Sequence, residues 1–321
     1  MTNYILDGIM GLAIADALGV PVEFESRSIL EKNPVVGMRS FGTYDQLAGT
    51  WSDDTSMTLC LVDSLSKGLN YEDIMEKCLS WFQEGKYSPH GEVFDIGITT
   101  RKALLKYSTN TPPLECGLGS EFDNGNGSLM RILPILYYLK SVYGSDFSKN
   151  KEAFEVIHNI SSLTHSHPRS LMACGIYILI ASNLLEEMTL EIAIDRGVYN
   201  AMEHYRNEEE FHRESKHFAR LENTSFKNLL AEDIRSGGYV IDTLEAALWC
   251  LLNTQDYTTC VLKAVNLGDD TDTVAAVAGG LAGLRYGYES IPAKWRESII
   301  KRGYIENLCE ELKNSLESAK F

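Results

Sequence analysis

Two short segments of this sequence place several carboxylates and hydroxyls close together. The first is Trp51-Ser52-Asp53-Asp54-Thr55, and the second is Gly268-Asp269-Asp270-Thr271-Asp272-Thr273. Each segment stands directly before an apolar helical pattern, so its acidic side chains would crowd onto the first turn of a helix. All the candidate donor atoms are oxygens, which suits a hard cation such as Mg²⁺, Mn²⁺ or Ca²⁺ and does not suit Zn²⁺.

Helix capping is the simpler explanation for each segment taken alone. Ser and Asp are favoured N-cap residues, and acidic residues in the first turn complement the helix dipole. A cap uses one side-chain oxygen, or two in a capping box, whereas the two segments carry five carboxylates. Because these carboxylates would repel one another if they met, we expect a bound cation between the two helix starts. The fold must then bring Asp53 and Asp270 together from distant parts of the chain.

Most of the chain carries apolar residues at helical spacing. The clearest helical faces lie at 57–65, 241–251, 274–284 and 305–316, and the uncharged segment 170–185 is apolar on all sides, as in a buried helix. Further helices are predicted near 4–18, 71–85, 95–107, 128–140, 152–163, 190–204, 226–235 and 293–301. The sequence lacks the alternating runs of strands and any linker. We therefore predict an all-α fold, with one compact multi-helix domain over residues 1–321.

Two connections, 20–51 and 108–127, are long and lack periodicity, which is typical of functional or disordered loops. The first contains Glu23 and Glu25, and the second ends in Gly125-Asn126-Gly127-Ser128. From the residues alone, the two glutamates are better explained as solvated loop residues. The paired Asn-Gly steps fit a turn and an anion-binding nest of backbone N–H groups equally well.

The chain of 321 residues has 29 Lys and Arg against 45 Asp and Glu, a formal net charge of −16. This acidity argues against binding to nucleic acids or anionic membranes, since Lys and Arg drive both. Seven dispersed cysteines without a CxxC pair favour reduced thiols. The N-terminus lacks a basic signal-peptide region, and the longest uncharged run is shorter than the ~20 residues of a membrane span. We expect a cytoplasmic protein that acts as a monomer.

Five segments, taken in order, resemble the motifs of the ADP-ribosylglycohydrolase family over nearly the whole chain. They are Asp16-Ala17-Leu18-Gly19 with Val22-Glu23-Phe24, Trp51-Ser52-Asp53-Asp54-Thr55, Gly125-Asn126-Gly127-Ser128-Leu129-Met130-Arg131, Thr164-His165-Ser166-His167-Pro168 and Gly268-Asp269-Asp270-Thr271-Asp272-Thr273. Each motif alone is weak, but the ordered set is specific. The resemblance implies a single compact all-α domain, in agreement with the periodicity, and cleavage of the bond between ADP-ribose and a modified side chain.

The resemblance also implies two Mg²⁺ or Mn²⁺ ions between the acidic helix starts. The implied ligands are Ser52, Asp53 and Asp54 from the first start, and Asp270, Asp272 and Thr273 from the second. Two such ions can bind the cis-diol of a ribose and polarise a water molecule. Glu23 matches the family's catalytic glutamate, which could act as general base. Asp269 stands where many members have glycine and adds a carboxylate without an assigned role.

Seven further residues are implied to bind the ligand: Asp95, Gly125, Asn126, Gly127, Ser128, His165 and Tyr239. Segment 125–128 would contact the diphosphate and ribose, His165 would lie near the substrate, and Tyr239 would flank the adenine. A purely structural histidine and a core tyrosine stay open for the last two. Asp16 lies on an otherwise apolar helix face and is expected to support the metal ligands, because an unpaired carboxylate there would be costly.

Two functional hypotheses follow. The first is a metal-dependent hydrolase that removes ADP-ribose from a mono-ADP-ribosylated protein, with arginine as the expected acceptor. ADP-ribose on serine, on a nucleobase or in O-acetyl-ADP-ribose is an alternative substrate. The second is a non-catalytic ADP-ribose binder or a toxin-neutralising protein. Such a protein would be expected to lack a metal ligand or the glutamate, and this sequence retains all of them.

Overall fold

Helices make up nearly all the regular structure of residues 3–186 and 188–318, the part of the chain that the computed structural model describes. In chain order they are α1 (Tyr4–Gly19), α2 (Arg27–Leu30), α3 (Asp53–Leu65), α4 (Tyr71–Glu84), α5 (Ile98–Ser108), α6 (Ile135–Tyr143), α7 (Lys151–Ser162), α8 (Pro168–Leu184), α9 (Leu190–Arg206), α10 (Glu209–His212), α11 (Val240–Leu252), α12 (Tyr257–Val265), α13 (Thr271–Tyr286), α14 (Ala293–Ser298) and α15 (Arg302–Ser318). Strand pairing among these residues is limited to three isolated bridges. The predicted all-α fold is confirmed.

Helices α1 and α13 pack with their backbones in contact, and glycines on both helices make this possible. A Cβ atom on Gly11 would lie 2.5 Å from the carbonyl oxygen of Gly279 and 2.9 Å from the Cα of Gly283. A Cβ on Gly283 would lie 2.1 Å from the carbonyl oxygen of Asp7. Real side chains do not fit such gaps. The contact therefore fixes the start of α13 beside the end of α1.

The apolar composition of α1 is explained by its burial. Residues 4–22 are long and apolar enough to cross a membrane, with a mean hydropathy of 1.7, but 94% of this window is buried inside the protein. Helix α8 is buried over nearly its full length, as the sequence of 170–185 predicts, and begins at Pro168. Apolar side chains from nearly all the helices join one hydrophobic core around these elements.

The predicted helix at 128–140 is wrong in its first half. Residues 128–134 form turns, and α6 begins only at Ile135. Pro134 accounts for the difference, because it has no N–H group and disfavours helical backbone at Leu133. Helix α12 (Tyr257–Val265) was not predicted by the periodicity.

The predicted helix at 226–235 is wrong throughout. The segment forms two 3-10 turns, Phe226–Asn228 and Ala231–Asp233. Its carbonyl groups bond to side chains from elsewhere in the fold: Leu229 accepts from Trp249 Nε1 at 3.1 Å, and Ile234 accepts from Arg27 Nη2 at 2.7 Å. Tertiary hydrogen bonds thus replace the bonds that a helix would make.

Gly11→Ala tests the backbone contact between α1 and α13. The new Cβ would lie 2.5 Å from the Gly279 carbonyl oxygen, so the helices must separate, and the free energy of unfolding should fall by about 1–3 kcal/mol. Gly303→Ala in α15 is the matched control, because a Cβ there meets no atom of the described residues within 4 Å. Urea denaturation measures both variants. Equal stability of the two would show that the contact is not tight.

Candidate active site

The first acidic helix start, at α3, is held in place by Asp16 of α1. The buried Asp16 carboxylate accepts from the backbone N–H of Ser52 at 3.0 Å, from that of Thr55 at 3.1 Å, and from the Thr55 hydroxyl at 2.5 Å. Ser52 caps the helix through its Oγ, which accepts from the Asp54 N–H. Asp16 and Ser52 therefore accept from the N–H groups of Ser52, Asp54 and Thr55, and the side chains of Asp53 and Asp54 do not act as the cap.

The second acidic helix start, at α13, meets the first through Asp54. Asp54 Oδ2 accepts from the Thr273 hydroxyl at 3.2 Å and from the Ser52 hydroxyl at 3.0 Å. Asp270 occupies the N-cap position of α13 without a capping hydrogen bond. Its Oδ2 accepts from Asn126 Nδ2 at 2.9 Å. Capping therefore does not account for the acidic residues at either start.

Two groups of three acidic side chains gather where the helix starts meet. Asp16, Asp54 and Asp272 each bring a carboxylate oxygen within 4.8 Å of the others, and so do Glu23, Asp95 and Asp272. Asp54 Oδ1, Asp272 Oδ2 and Glu23 Oε2 are buried and have no hydrogen-bond partner among the described residues. Buried carboxylate oxygens without partners are costly. Since the donors are all oxygens, the residues fit a hard divalent cation.

Burial and mutual repulsion raise the pKa of the carboxyl groups in this cluster. The pKa of Asp54 lies well above its usual range, because of burial first and then the charges of Asp16 and Asp270. Burial, followed by the charges of Asp95 and Asp270, raises the pKa of Glu23 to about 8. A divalent cation among these groups would favour their ionised forms. The cluster is thus electrostatically prepared for a cation.

The segment that carries Glu23 is tied to the start of α13 by backbone hydrogen bonds. The Phe24 N–H donates to the carbonyl of Asp269 at 2.7 Å, and the Asp269 N–H donates to the carbonyl of Glu25 at 2.9 Å. Phe24 and Asp269 both have left-handed backbone, with φ of 66° and 61°, which is uncommon for residues with side chains. The surrounding structure must hold such strain. Here it keeps Glu23 against the second acidic start.

A cleft of about 480 Å³ opens beside the acidic cluster, in the range of about 300–1,000 Å³ that is typical of small-molecule sites. The predicted site residues that line it are Glu23, Asp53, Asp95, Gly125, Asn126, Gly127, His165, Asp270 and Thr273. Ser52, Asp54 and Asp272 are buried in the adjoining cluster. The fold thus gathers the assigned acidic residues and most of the assigned ligand-binding residues in one place.

Segment 124–127 forms one wall of the cleft and pairs with the residues before α11. The Asn126 N–H donates to the Gly238 carbonyl at 3.1 Å, and the Val240 N–H donates to the Asn124 carbonyl at 3.0 Å. Glycine is required at position 127, because a Cβ there would lie 2.9 Å from both His165 Cε1 and Thr100 Oγ1. Since turns and not a helix follow this segment, no helix dipole contributes to anion binding there.

Two of the predicted ligand-binding residues point their side chains elsewhere. Ser128 is fully buried, and its Oγ lies 2.9 Å from the Oγ of Ser161. The Tyr239 hydroxyl lies 3.5 Å from Nη1 of Arg169, while the Tyr239 backbone forms an isolated bridge with Gly125. Both residues therefore support the cleft wall in this structure.

Several residues of the site were not predicted from the sequence, and three of them stand out. Tyr44 packs beside Glu23 and Asp95, and burial together with those two carboxylates raises the pKa of its hydroxyl. Ile98 and Phe122 line the cleft although they are 74% and 95% exposed. Tyr44 and Phe122 lie in the two long connections, 20–51 and 108–127. The lack of periodicity in these connections indicates functional loops, but the residue types do not single out Tyr44 or Phe122 within them.

Comparisons with known proteins identify the family of this chain. A family model described as ADP-ribosylglycohydrolase matches residues 2–320. The chain is 35% identical over 312 residues to ADP-ribosylarginine hydrolase Tri1 from Serratia proteamaculans (strain 568), covering 95% of this chain and 77% of that protein. It is 30% identical to ADP-ribosyl-[dinitrogen reductase] glycohydrolase from Rhodospirillum rubrum, covering 92% of this chain and 89% of that protein.

Comparison with solved structures leads to the same family as the sequence comparisons. A solved structure described as an ADP-ribosylglycohydrolase-related protein complex superposes with a TM-score of 0.77 and 28% identity, covering 98% of both chains. Family match, relatives and fold therefore confirm the resemblance that the five ordered motifs indicated. This protein belongs to the ADP-ribosylglycohydrolase family and is a hydrolase of that family.

Proposed function

We propose that this protein hydrolyses the bond that joins ADP-ribose to an arginine side chain of a modified protein, with two Mg²⁺ or Mn²⁺ ions as cofactors. The observation that carries this proposal is the meeting of Glu23 with two acidic helix starts on a cleft sized for a small ligand. A ribose cis-diol presents the hard oxygen atoms that such cations prefer. The site thus places the Glu23 carboxylate, which can accept a proton, beside the groups proposed to bind the sugar.

Six residues are proposed to hold the cations: Ser52, Asp53, Asp54, Asp270, Asp272 and Thr273. The buried oxygens of Asp54 and Asp272 that lack a partner in residues 3–186 and 188–318 support this assignment, as do the hydrogen bonds from Ser52 and Thr273 to Asp54. When bound, the cations supply Lewis-acid charge to the ribose hydroxyls and to the attacking water. Asp16 positions the first helix start through its hydrogen bonds to Ser52 and Thr55.

Glu23 is proposed as the general base. Its Oε2 is buried at the edge of the cleft and has no hydrogen-bond partner within the described part of the chain, and the Tyr44 hydroxyl beside it is placed to orient the carboxylate. The attacking water gives a proton to Glu23 as its oxygen bonds to the anomeric carbon. The bond from that carbon to the guanidine nitrogen breaks, the electron pair leaves with the guanidine, and the guanidine then takes up a proton.

Arginine is proposed as the acceptor on two grounds. The Serratia relative, which aligns over 95% of this chain, is named an ADP-ribosylarginine hydrolase. In addition, a modified guanidinium is cationic, and a protein of net charge −16 attracts cationic groups over anionic ones. The acidic residues around the cleft would also attract a cationic guanidinium.

Glu23→Gln should lower kcat by about 100-fold or more, since a general base contributes roughly 10²–10⁴-fold. ADP-ribose binding should persist, because the amide keeps the shape of the side chain. Release of ADP-ribose from a mono-ADP-ribosylated arginine peptide measures the first effect, and calorimetry measures the second. Glu25→Gln, two positions along the same segment, is the matched control and should keep full activity. Full activity of Glu23→Gln would exclude Glu23 as the base.

Asp272→Asn should weaken Mn²⁺ binding by about 100-fold or more, because loss of a metal ligand costs at least as much as loss of a group that supports one. Calorimetry on chelator-treated protein measures affinity and stoichiometry, which should be two ions for the unmodified protein. Asp269→Asn is the matched control, since Asp269 belongs to the same helix start but its Oδ2 lies 3.5 Å from Ser236 Oγ. Activity that survives complete chelation would exclude a metal-dependent reaction.

The acceptor is tested with a panel of arginine-, serine- and DNA-linked ADP-ribose together with O-acetyl-ADP-ribose. We expect the highest kcat/KM on the arginine linkage, because the modified guanidinium in that substrate is cationic and the cleft is acidic. Faster turnover of another linkage would support the hydrolase activity and would show that arginine is not the preferred acceptor. ADP-ribose binding without turnover on any linkage would instead support the non-catalytic binder.

A further inference from the structure

A buried chain of hydrogen bonds reaches the cleft from the core through Arg131, Thr164 and His165. Thr164 Oγ1 lies 2.8 Å from Arg131 Nη2 and 2.8 Å from His165 Nδ1. All three residues are at most 2% exposed. Arg131 Nη2 also donates to the carbonyl of Ile160 at 3.2 Å, which anchors the guanidinium at the end of α7. The His165 ring is therefore held at Nδ1, on its core-facing edge.

The chemistry of this chain decides which ring nitrogen of His165 carries a hydrogen. A guanidinium can only donate, so Thr164 Oγ1 accepts from Arg131. Among the described residues, the remaining partner of that hydroxyl is His165 Nδ1, which must accept the hydroxyl hydrogen. The reverse arrangement would leave the hydrogen of a buried hydroxyl without an acceptor, which is costly. A neutral imidazole has one N–H group, so the hydrogen is on Nε2.

The other edge of the His165 ring faces the cleft. His165 lines the cleft, and a Cβ on either Gly125 or Gly127 would lie 3.5 Å from Nε2. Nδ1 is the ring nitrogen bonded within the described part of the chain, which leaves Nε2 for a ligand. Burial first, and then the charge of Arg131, lower the pKa of His165 to about 3, so the ring is neutral at pH 7.

We propose that Arg131 and Thr164 are positioning residues that fix His165 in its neutral Nε2–H form, so that His165 donates a hydrogen bond to an oxygen of the bound ligand. The identity of that oxygen, on a phosphate or a ribose, rests on the proposed function. The position of the hydrogen does not, because it is set by protein groups alone. The chain thereby gives the cleft a donor of fixed direction without adding a charge.

Nitrogen-15 NMR of the ¹⁵N-histidine-labelled full chain tests the position of the hydrogen. At pH 7 and without ligand, the His165 ring should be protonated at Nε2, with its signals assigned by their absence in His165→Asn. Thr164→Val should remove the hydrogen bond to Nδ1 and shift the Nδ1 resonance, because the fixed partner of that nitrogen is lost, and Thr164→Ser should restore the wild-type spectrum. His167 is an internal control, since its Nδ1 accepts from the Arg169 N–H at 3.2 Å and does not depend on Thr164.

Two results would overturn the proposal. One is a wild-type His165 ring protonated at Nδ1, a result that needs no variant to fold. The other is a Thr164→Val spectrum in which the His165 ring is unchanged.

Calorimetry with ADP-ribose tests the consequence for binding. Thr164→Val should weaken binding by about 3- to 10-fold, the value of one hydrogen bond, and Thr164→Ser should bind as the wild type does. Equal weakening in both variants would overturn the role of the hydroxyl. If ADP-ribose does not bind the wild type while His165 is protonated at Nε2, the proposed function fails and the positioning chain stands.

Discussion

The site depends on the backbone contact between α1 and α13. Glycines bring the two helices closer than side chains would allow, and at Gly19 the approach extends to the site itself, because a Cβ there would lie 2.3 Å from the Cα of Asp272. The same helix α1 carries Asp16, which holds the start of α3. One helix therefore fixes both acidic starts and sets the distance between them.

This arrangement costs stability in the absence of a cation. Asp54 and Asp272 each have a buried oxygen without a partner among the described residues, and burial first, followed by the neighbouring carboxylates, raises the pKa of both groups. Burial of unpaired charge is strongly destabilising, so a large hydrophobic core must offset it. The apolar burial of α1, α8 and α13 supplies that core. A loss of folding stability that is concentrated at one cleft is typical of a functional site, because such sites trade stability for activity.

The sequence predicts the parts of the site that are local in the chain. The acids at two helix starts are visible because each set is contiguous, and the resemblance adds Glu23 and segment 125–127. Tyr44 and Phe122 are not predictable in this way, because they reach the cleft through loops whose path depends on contacts elsewhere in the chain. The helix prediction for 226–235 is wrong for the same reason, since Arg27 and Trp249 donate hydrogen bonds to carbonyl groups of this segment. The single domain, the monomer and the cytoplasmic location stay predictions.

The composition of the cleft raises a question about anions. Among the described residues, those that line it include four carboxylates and neither Lys nor Arg, whereas the proposed ligand contains a diphosphate. Lys and Arg are the usual partners of phosphate, and here the buried guanidinium of Arg131 donates to Thr164 and to the Ile160 carbonyl. Binding of the proposed ligand would therefore rely on neutral donors such as His165 Nε2, and on cations that offset the carboxylates. A fixed neutral donor suits this setting, because a cationic side chain in the cleft would be attracted to its carboxylates and would compete with the cations for them.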